Sequence, residues 1–198
     1  MANAIDTRVG RPERGEGEQR FVVNGVTWKD YVLLRDALDT PGLRMTYCRG
    51  QLELMSPSRS HEENKTTIAR LVELFATETG LRLYGYGSTT FRHEARERGA
   101  EPDECWTVDK PMDEFPQIVL EVVLTSGGID ELNVYRGLDV REVWFFEEGR
   151  FHLHELGADG YHPIDRSALI PDLDFGELVA LDDQHEAVQT YRDRLRAR

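Results

Sequence analysis

Two stretches decide the fold of this chain: Glu101-Pro-Asp-Glu-Cys-Trp106 and the apolar run Gln117-Ile-Val-Leu-Glu-Val-Val123. Both have the composition of β-strands, and the second contains one carboxylate, Glu121. A lone carboxylate among apolar side chains is costly unless it is paired, protonated or bound to a cation. Asp103 precedes Glu121 by one strand and one connection. We therefore expect the two carboxylates to lie on neighbouring strands and to share one metal site.

The composition indicates a globular protein rather than a membrane protein or a general nucleic-acid binder. The chain has 198 residues, of which 39% are hydrophobic and 31% charged. Its net charge of −13 argues against non-specific binding to nucleic acid, although a local basic groove remains possible. No stretch approaches the ~20 apolar residues of a membrane span. The N-terminus lacks the apolar core of a signal peptide, and two cysteines fit a reducing compartment, so we expect a cytoplasmic protein.

The order of predicted elements favours one α/β (α+β) domain with a mixed sheet. Residues 1–20 are polar and predict a disordered or loosely attached arm, which leaves residues 21–198 as the domain. The predicted elements are a helix over 28–38, a hairpin around Arg49-Gly50, a helix from Ser58 to Gly80, a charged loop over 94–100, the two acidic strands, a helix over 129–137, a hairpin over 141–155 and a terminal helix over 184–198.

Two carboxylates on adjacent strands, with a third from a helix, suit Mg²⁺, which prefers oxygen ligands. Glu62 lies near the start of the predicted helix after the first hairpin and is the candidate for the third. Such a site would activate water for attack on a phosphodiester. For Asp103 an exposed strand end is the ordinary alternative, and for Glu121 a buried structural ion pair remains open.

The ordered set of motifs resembles the PD-(D/E)XK nuclease superfamily and, more closely, its bacterial Uma-type restriction-endonuclease family. The residues that carry this resemblance are Gly50-Gln-Leu-Glu-Leu-Met-Ser-Pro57, Ser60-His-Glu62, Glu101-Pro-Asp-Glu104, Ile118-Val-Leu-Glu-Val-Val123 and Tyr135-Arg-Gly-Leu-Asp-Val-Arg-Glu-Val-Trp144. The resemblance implies a restriction-endonuclease-like mixed sheet flanked by helices, with additional N-terminal strands and a C-terminal hairpin. It also implies DNA as the substrate and Mg²⁺ or Mn²⁺ as the cofactor. The metal would be held by Asp103, Glu121 and the backbone carbonyl of Val122, and Glu62 would complete the site.

The sequence departs from this pattern at the catalytic lysine. The superfamily places it two residues after the glutamate, where this chain has Val123, and the Uma-type family often places it on the following helix, where this chain has Glu131. We hypothesise that Lys65 supplies the missing positive charge, with Arg136 as the second choice. The simpler alternative is that Lys65 is only an i,i+3 partner of Glu62 on a solvated helix face.

Two classes of function follow from these residues. The first is a metal-dependent endonuclease that hydrolyses phosphodiester bonds in DNA. The second is a catalytically degenerate member of the same fold that acts as a dimeric binding or regulatory module. His152 and His154 have an i,i+2 spacing that zinc sites use, but no third ligand is evident, so a polar strand face is the simpler interpretation.

Overall fold

A computed structural model describes residues 18–40, 42–125, 128–179 and 184–198. The strands are β1 (Gln19–Asn24), β2 (Arg44–Cys48), β3 (Gln51–Ser56), β4 (Leu83–Gly85), β5 (Phe91–His93), β6 (Arg98–Ala100), β7 (Glu104–Val108), β8 (Ile118–Val123), β9 (Glu142–Glu147), β10 (Arg150–Leu156) and β11 (Tyr161–Ile164). The helices are α1 (Trp28–Ala37), α2 (Arg59–Thr79), α3 (Glu131–Arg136), α4 (Phe175–Val179) and α5 (Gln184–Arg196). Among these helices none is long and apolar enough to cross a membrane.

The strands form two sheets. The first is antiparallel, in the order β1-β3-β2-β6-β5. The second has the order β11-β10-β9-β8-β7-β4 and is mixed, because β8 and β9 run parallel while its other pairs are antiparallel. The prediction of a mixed α+β fold is therefore confirmed, with two sheets where the sequence had suggested one.

Local sequence signals explain the predicted hairpin and the long helix. Arg49 and Gly50 have positive φ angles of 43° and 90°, the backbone that a two-residue hairpin turn requires. The hydroxyl of Ser58 accepts the N–H of His61 at 3.2 Å and caps the start of α2. Gly80 ends that helix in the left-handed conformation, as the sequence predicts.

The second sheet is covered on both faces, which is why its central strand is so apolar. One face packs against α2 through a cluster that includes Ile68, Leu71, Phe75, Trp106, Leu120 and Trp144. The other face packs against α3 through a cluster that includes Cys105, Val119, Val134, Tyr135 and Val143. Because side chains alternate along β8, Glu121 shares the α3 face with Val119.

Three sequence predictions need correction. The first strand begins at Gln19, inside the predicted arm, and residues 1–17 of that arm lie outside the described residues. The predicted charged loop over 94–100 contains β6, whose Arg98 is buried and donates to the backbone carbonyl of Asn133 at 3.1 Å. The helix α4 was not predicted.

Candidate functional site

Asp103 and Glu121 lie opposite each other across the β7–β8 pair. Glu104 pairs with Leu120 in this antiparallel ladder, so the register continued by one residue puts Asp103 opposite Glu121 and on the same face. Asp103 is fully buried, and its carboxylate accepts the N–H of Val122 at 2.8 Å. The two carboxylates therefore lie side by side at the end of the β7–β8 pair where β7 begins.

The first acid of the quoted stretch has a different role. Glu101 is buried and accepts hydrogen bonds from the guanidinium of Arg35 and from the hydroxyl of Thr90, the latter at 2.6 Å. These contacts tie α1 to the segment that enters β7. Of the two acids that flank Pro102, only Asp103 belongs to the candidate site.

Arg44 is the cation nearest to Asp103. It begins β2, is 8% exposed, and its Nε lies 3.4 Å from Asp103 Oδ1. Its Nη2 lies 3.4 Å from Glu62 Oε1, so the guanidinium stands between the aspartate and the helix-borne acid. Lys65 Nζ lies 2.9 Å from the other oxygen of Glu62. Burial alone would raise the pKa of Glu62, but the hydrogen bond from Lys65 and the charges of Lys65 and Arg44 lower it below its usual value.

His61 reaches the same aspartate from the first turn of α2. Its side chain is fully buried, and its Nε2 lies 3.1 Å from Asp103 Oδ2. Its Nδ1 lies 3.8 Å from Glu62 Oε1. Neither ring nitrogen has a hydrogen-bond partner of good geometry among the described residues. Asp103 thus has a histidine on one oxygen and an arginine beside the other.

A second group of charges flanks Glu121 on the side of α3. Glu131, the first residue of α3, occupies the position at which the resemblance predicts lysine, and its Oε1 lies 3.4 Å from Arg20 Nη1. The same guanidinium nitrogen lies 2.9 Å from Glu53 Oε1, and Glu53 in turn accepts the N–H of Ile129 at 2.9 Å. A Cβ atom at Gly128 would lie only 2.2 Å from Glu53 Oε2, so a larger residue here would displace the Glu53 carboxylate.

The acids of the site outweigh its cations. Burial raises the pKa of Glu121 well above its usual value, and the charges of Glu131 and Asp103 raise it further. The hydrogen bond that Tyr135 donates to it and the charge of Arg44 oppose this rise in pKa. Burial raises the pKa of Glu131 to about 7; Glu53 and Asp103 add to this effect, and Arg20 opposes it. Mutual repulsion of this kind is relieved by a bound cation.

The donor set suits an oxygen-liganded cation. Asp103 Oδ1 is buried without a hydrogen-bond partner in the described part of the chain, although Arg44 Nε lies 3.4 Å from it. The other candidate ligands, Glu121 and Glu62, are also carboxylates. Within that same part, no group of three or more His, Cys, Asp and Glu side chains has the geometry of a preformed metal cage. Carboxylate oxygens are nevertheless the type of ligand that Mg²⁺ and Mn²⁺ prefer.

The predicted site residues are brought together unequally. Asp103 and Glu121 lie opposite each other on neighbouring strands, and the N–H of Val122 donates to Asp103. Glu62 and Lys65 lie at the edge of this group, where the Glu62 side chain is 41% exposed. Arg136 is exposed and lies beside Gly160 in the turn between β10 and β11.

Sequence reasoning missed Arg20, Arg44 and Glu53. A usable signal existed for Arg44, since it opens a strand, Arg-Met-Thr-Tyr-Cys, whose residues are otherwise largely buried. Arg20 carried no such signal, because it follows a run of polar residues that resembles an arm.

Comparisons with known proteins agree with this arrangement of motifs. A family model described as "Uma2: Putative restriction endonuclease" matches residues 28–191. Among solved structures, the chain is similar to one described as a "putative nuclease belonging to DUF820" from Anabaena variabilis, with 13% sequence identity and a TM-score of 0.47. That match covers 80% of this chain and 98% of the other. No curated protein matches the chain.

Proposed function

This chain belongs to the Uma2 family, and from that membership we propose that it is a metal-dependent endonuclease that hydrolyses phosphodiester bonds in DNA. The observation that carries the proposal is the pair Asp103 and Glu121 on adjacent strands, with a pKa of Glu121 that burial and its acidic neighbours raise. A carboxylate pair of this kind supports binding of Mg²⁺ or Mn²⁺. Bound there, the ion would act as a Lewis acid and lower the pKa of a coordinated water.

The metal ligands in this proposal are Asp103, Glu121 and the backbone carbonyl of Val122, with Glu62 completing the shell directly or through water. The hydrogen bond from the Val122 N–H orients the Asp103 carboxylate and fixes β8 beside it. Asp103 is fully buried and held by this bond, so its carboxylate needs little reorganisation when a phosphate arrives.

Arg44 is the best-placed residue to supply positive charge to a phosphate bound at this site. Its guanidinium is 8% exposed and lies within 3.4 Å of Asp103, where it would face the negative charge that develops during in-line attack. Lys65 is the second source, because it contacts Glu62 at 2.9 Å and is 14% exposed. If Lys65→Ala cleaved DNA at the full rate, its proposed role would be dropped.

The test is cleavage of supercoiled plasmid in Mg²⁺ or Mn²⁺, together with calorimetric titration of Mn²⁺. We expect Asp103→Asn and Glu121→Gln to lose about 100-fold or more in rate, the scale of losing one electrostatic contact to the transition state. Both should also lose Mn²⁺ binding. The exposed acids Asp113 and Glu114 offer matched controls, as Asp113→Asn and Glu114→Gln. Equal cleavage by wild type and Asp103→Asn would overturn the proposal.

One set of contacts favours the second candidate, a catalytically degenerate and dimeric binding or regulatory module. Arg44 lies beside the Asp103 carboxylate, and the Tyr135 hydroxyl donates to the Glu121 carboxylate. In addition, the acid Glu131 is found where the resemblance predicts lysine. Such internal neutralisation would suit a structural acid pair. Absence of Mn²⁺ binding and of cleavage on plasmid, linear and single-stranded DNA, with a dimer mass in light scattering, would support this candidate instead.

A further inference from the structure

A groove of about 410 Å³ lies beside the acid pair on the α3 face of the second sheet. It is lined by Phe145 and Glu147 of β9, by His152 and His154 of β10, and by Arg20 and Glu131. This volume is within the range of about 300–1,000 Å³ of small-molecule sites. The groove therefore begins where the candidate site ends and is large enough for a ring system.

Strand register makes the groove a direct continuation of the acid pair. Glu121 on β8 pairs with Phe145 on β9, and Phe145 pairs with His152 on β10. Together with Asp103 on β7, these residues form one row across four neighbouring strands, with all side chains on one face. Because strands are spaced about 4.8 Å apart, Phe145 is one strand, and His152 two strands, from Glu121.

The surface of the groove is aromatic. The rings of Phe145 and His154 meet edge to face, with centroids 5.7 Å apart and an interplanar angle of 80°. Burial lowers the pKa of His154 below its usual value, which favours the neutral ring. A planar ring in the groove would therefore find an aromatic surface.

The charges of the groove select against phosphate. Asp130, Glu131 and Glu147 face one cation, Arg20, so an anion would be repelled. Carboxylates accept hydrogen bonds from the amino groups of nucleobases, as in contacts to the cytosine N4 amino group. An uncharged nucleobase, which carries an amino or ring N–H donor, thus fits the groove better than a phosphate or a sugar-phosphate chain.

We propose that this groove binds the nucleobase next to the phosphate that is cut, with the base stacked against Phe145 and its edge beside His154. The inference rests on the proposed nuclease function, in which the metal ion that Asp103 and Glu121 would hold binds the adjacent phosphate. A base inside an intact duplex cannot reach this face, so the preferred substrate is single-stranded or locally opened at the cut. Stacking of bases on aromatic side chains is tolerant of sequence.

The test is binding of two trinucleotides in Ca²⁺ buffer, one of thymidine and one an abasic analogue with the same phosphates. Histidine ring signals in ¹H–¹⁵N spectra report the position of the ligand. We expect the thymidine trimer to shift the signals of His152 and His154 and to leave that of His162, which lies on β11, unchanged. We expect the abasic trimer to bind at least about 5-fold more weakly.

Two matched variants sharpen the result. Phe145→Leu removes the aromatic ring but keeps an apolar side chain, and should remove the preference for the thymidine trimer. Phe151→Leu, on β10 and on the opposite face of the sheet, should keep that preference. Equal affinity for the two trimers, or an unchanged preference in Phe145→Leu, would overturn the inference.

The outcome can be separated from that of the nuclease proposal. Base-dependent binding in the groove without plasmid cleavage would support the base-binding groove and contradict the nuclease proposal. Metal-dependent cleavage with equal binding of both trimers would support the nuclease proposal and contradict the base-binding groove.

Discussion

Replacement of Glu131 by glutamine should make the stability of the metal-free protein less dependent on pH. Glu131 begins α3, its side chain is 15% exposed, and Arg20 is its cationic partner. Burial raises the pKa of this carboxyl from the ordinary value of 4.5 to about 7, and the charges of Glu53 and Asp103 contribute to the rise.

The sign follows from which state holds the proton. In the unfolded chain the carboxyl ionises near pH 4.5, whereas in the folded protein it holds its proton until about pH 7. Its contribution to stability is therefore fully present below about pH 4.5 and is lost as the pH rises through about 7. At 1.36 kcal/mol for each unit of pKa difference, the loss amounts to about 3 kcal/mol. Glutamine has no proton to lose.

Urea unfolding with a chelator present, at pH 5 and at pH 8, measures this effect. We expect the free energy of unfolding of Glu131→Gln, relative to wild type, to rise by about 2–3 kcal/mol between the two pH values. Glu114→Gln, at an exposed position, should show no such change and serves as the control. If the difference between Glu131→Gln and wild type were the same at both pH values, the repulsion assigned to this acid cluster would be refuted.

Three further results are expected. Arg44→Ala should lower the free energy of unfolding by about 3–5 kcal/mol, because it leaves the buried Asp103 without its nearest cation. Arg59→Ala, at an exposed position, should change the free energy of unfolding little. Equal losses in the two variants would contradict the role assigned to Arg44. The thiol of Cys105 should react with a disulfide reagent at pH 8 only after unfolding, because burial raises its pKa to about 12; rapid modification of the folded protein would contradict this. Gly99→Ala should cost about 1–3 kcal/mol in urea unfolding, since its Cβ would lie 2.2 Å from the hydroxyl of the buried Tyr31, and an unchanged midpoint would show that the ring can move.

The site residues that could be predicted from the sequence are those that differ in polarity or backbone type from their immediate neighbours in the chain. Glu121 stands out because its strand is otherwise apolar, and Asp103 because it follows a proline at the start of the neighbouring strand. Glu62 was placed correctly near the start of a helix, since Ser58 and the apolar spacing of α2 are both local signals.

The parts that were missed depend on partners far away in the chain. Arg20 was assigned to a polar arm, yet it pairs with an acid 111 positions later. Arg98 was assigned to a charged loop, yet its guanidinium is buried because backbone carbonyls, including that of Asn133, satisfy it. Composition describes the average solvation of a segment, and it cannot show which arginine finds a buried acceptor. The metal, the dimer and the location in the cell remain predictions.

The ion pair between Arg20 and Glu131 has a consequence for folding order. It joins the edge strand of the first sheet to the first turn of α3 across 111 positions, so its formation closes a very long loop. Contacts of such high sequence separation form late, after hairpins such as β2–β3 and β9–β10 that close over a few residues. This ion pair therefore requires both the first sheet and α3 to be in place. We expect it to be among the last contacts of the acid cluster to form during refolding.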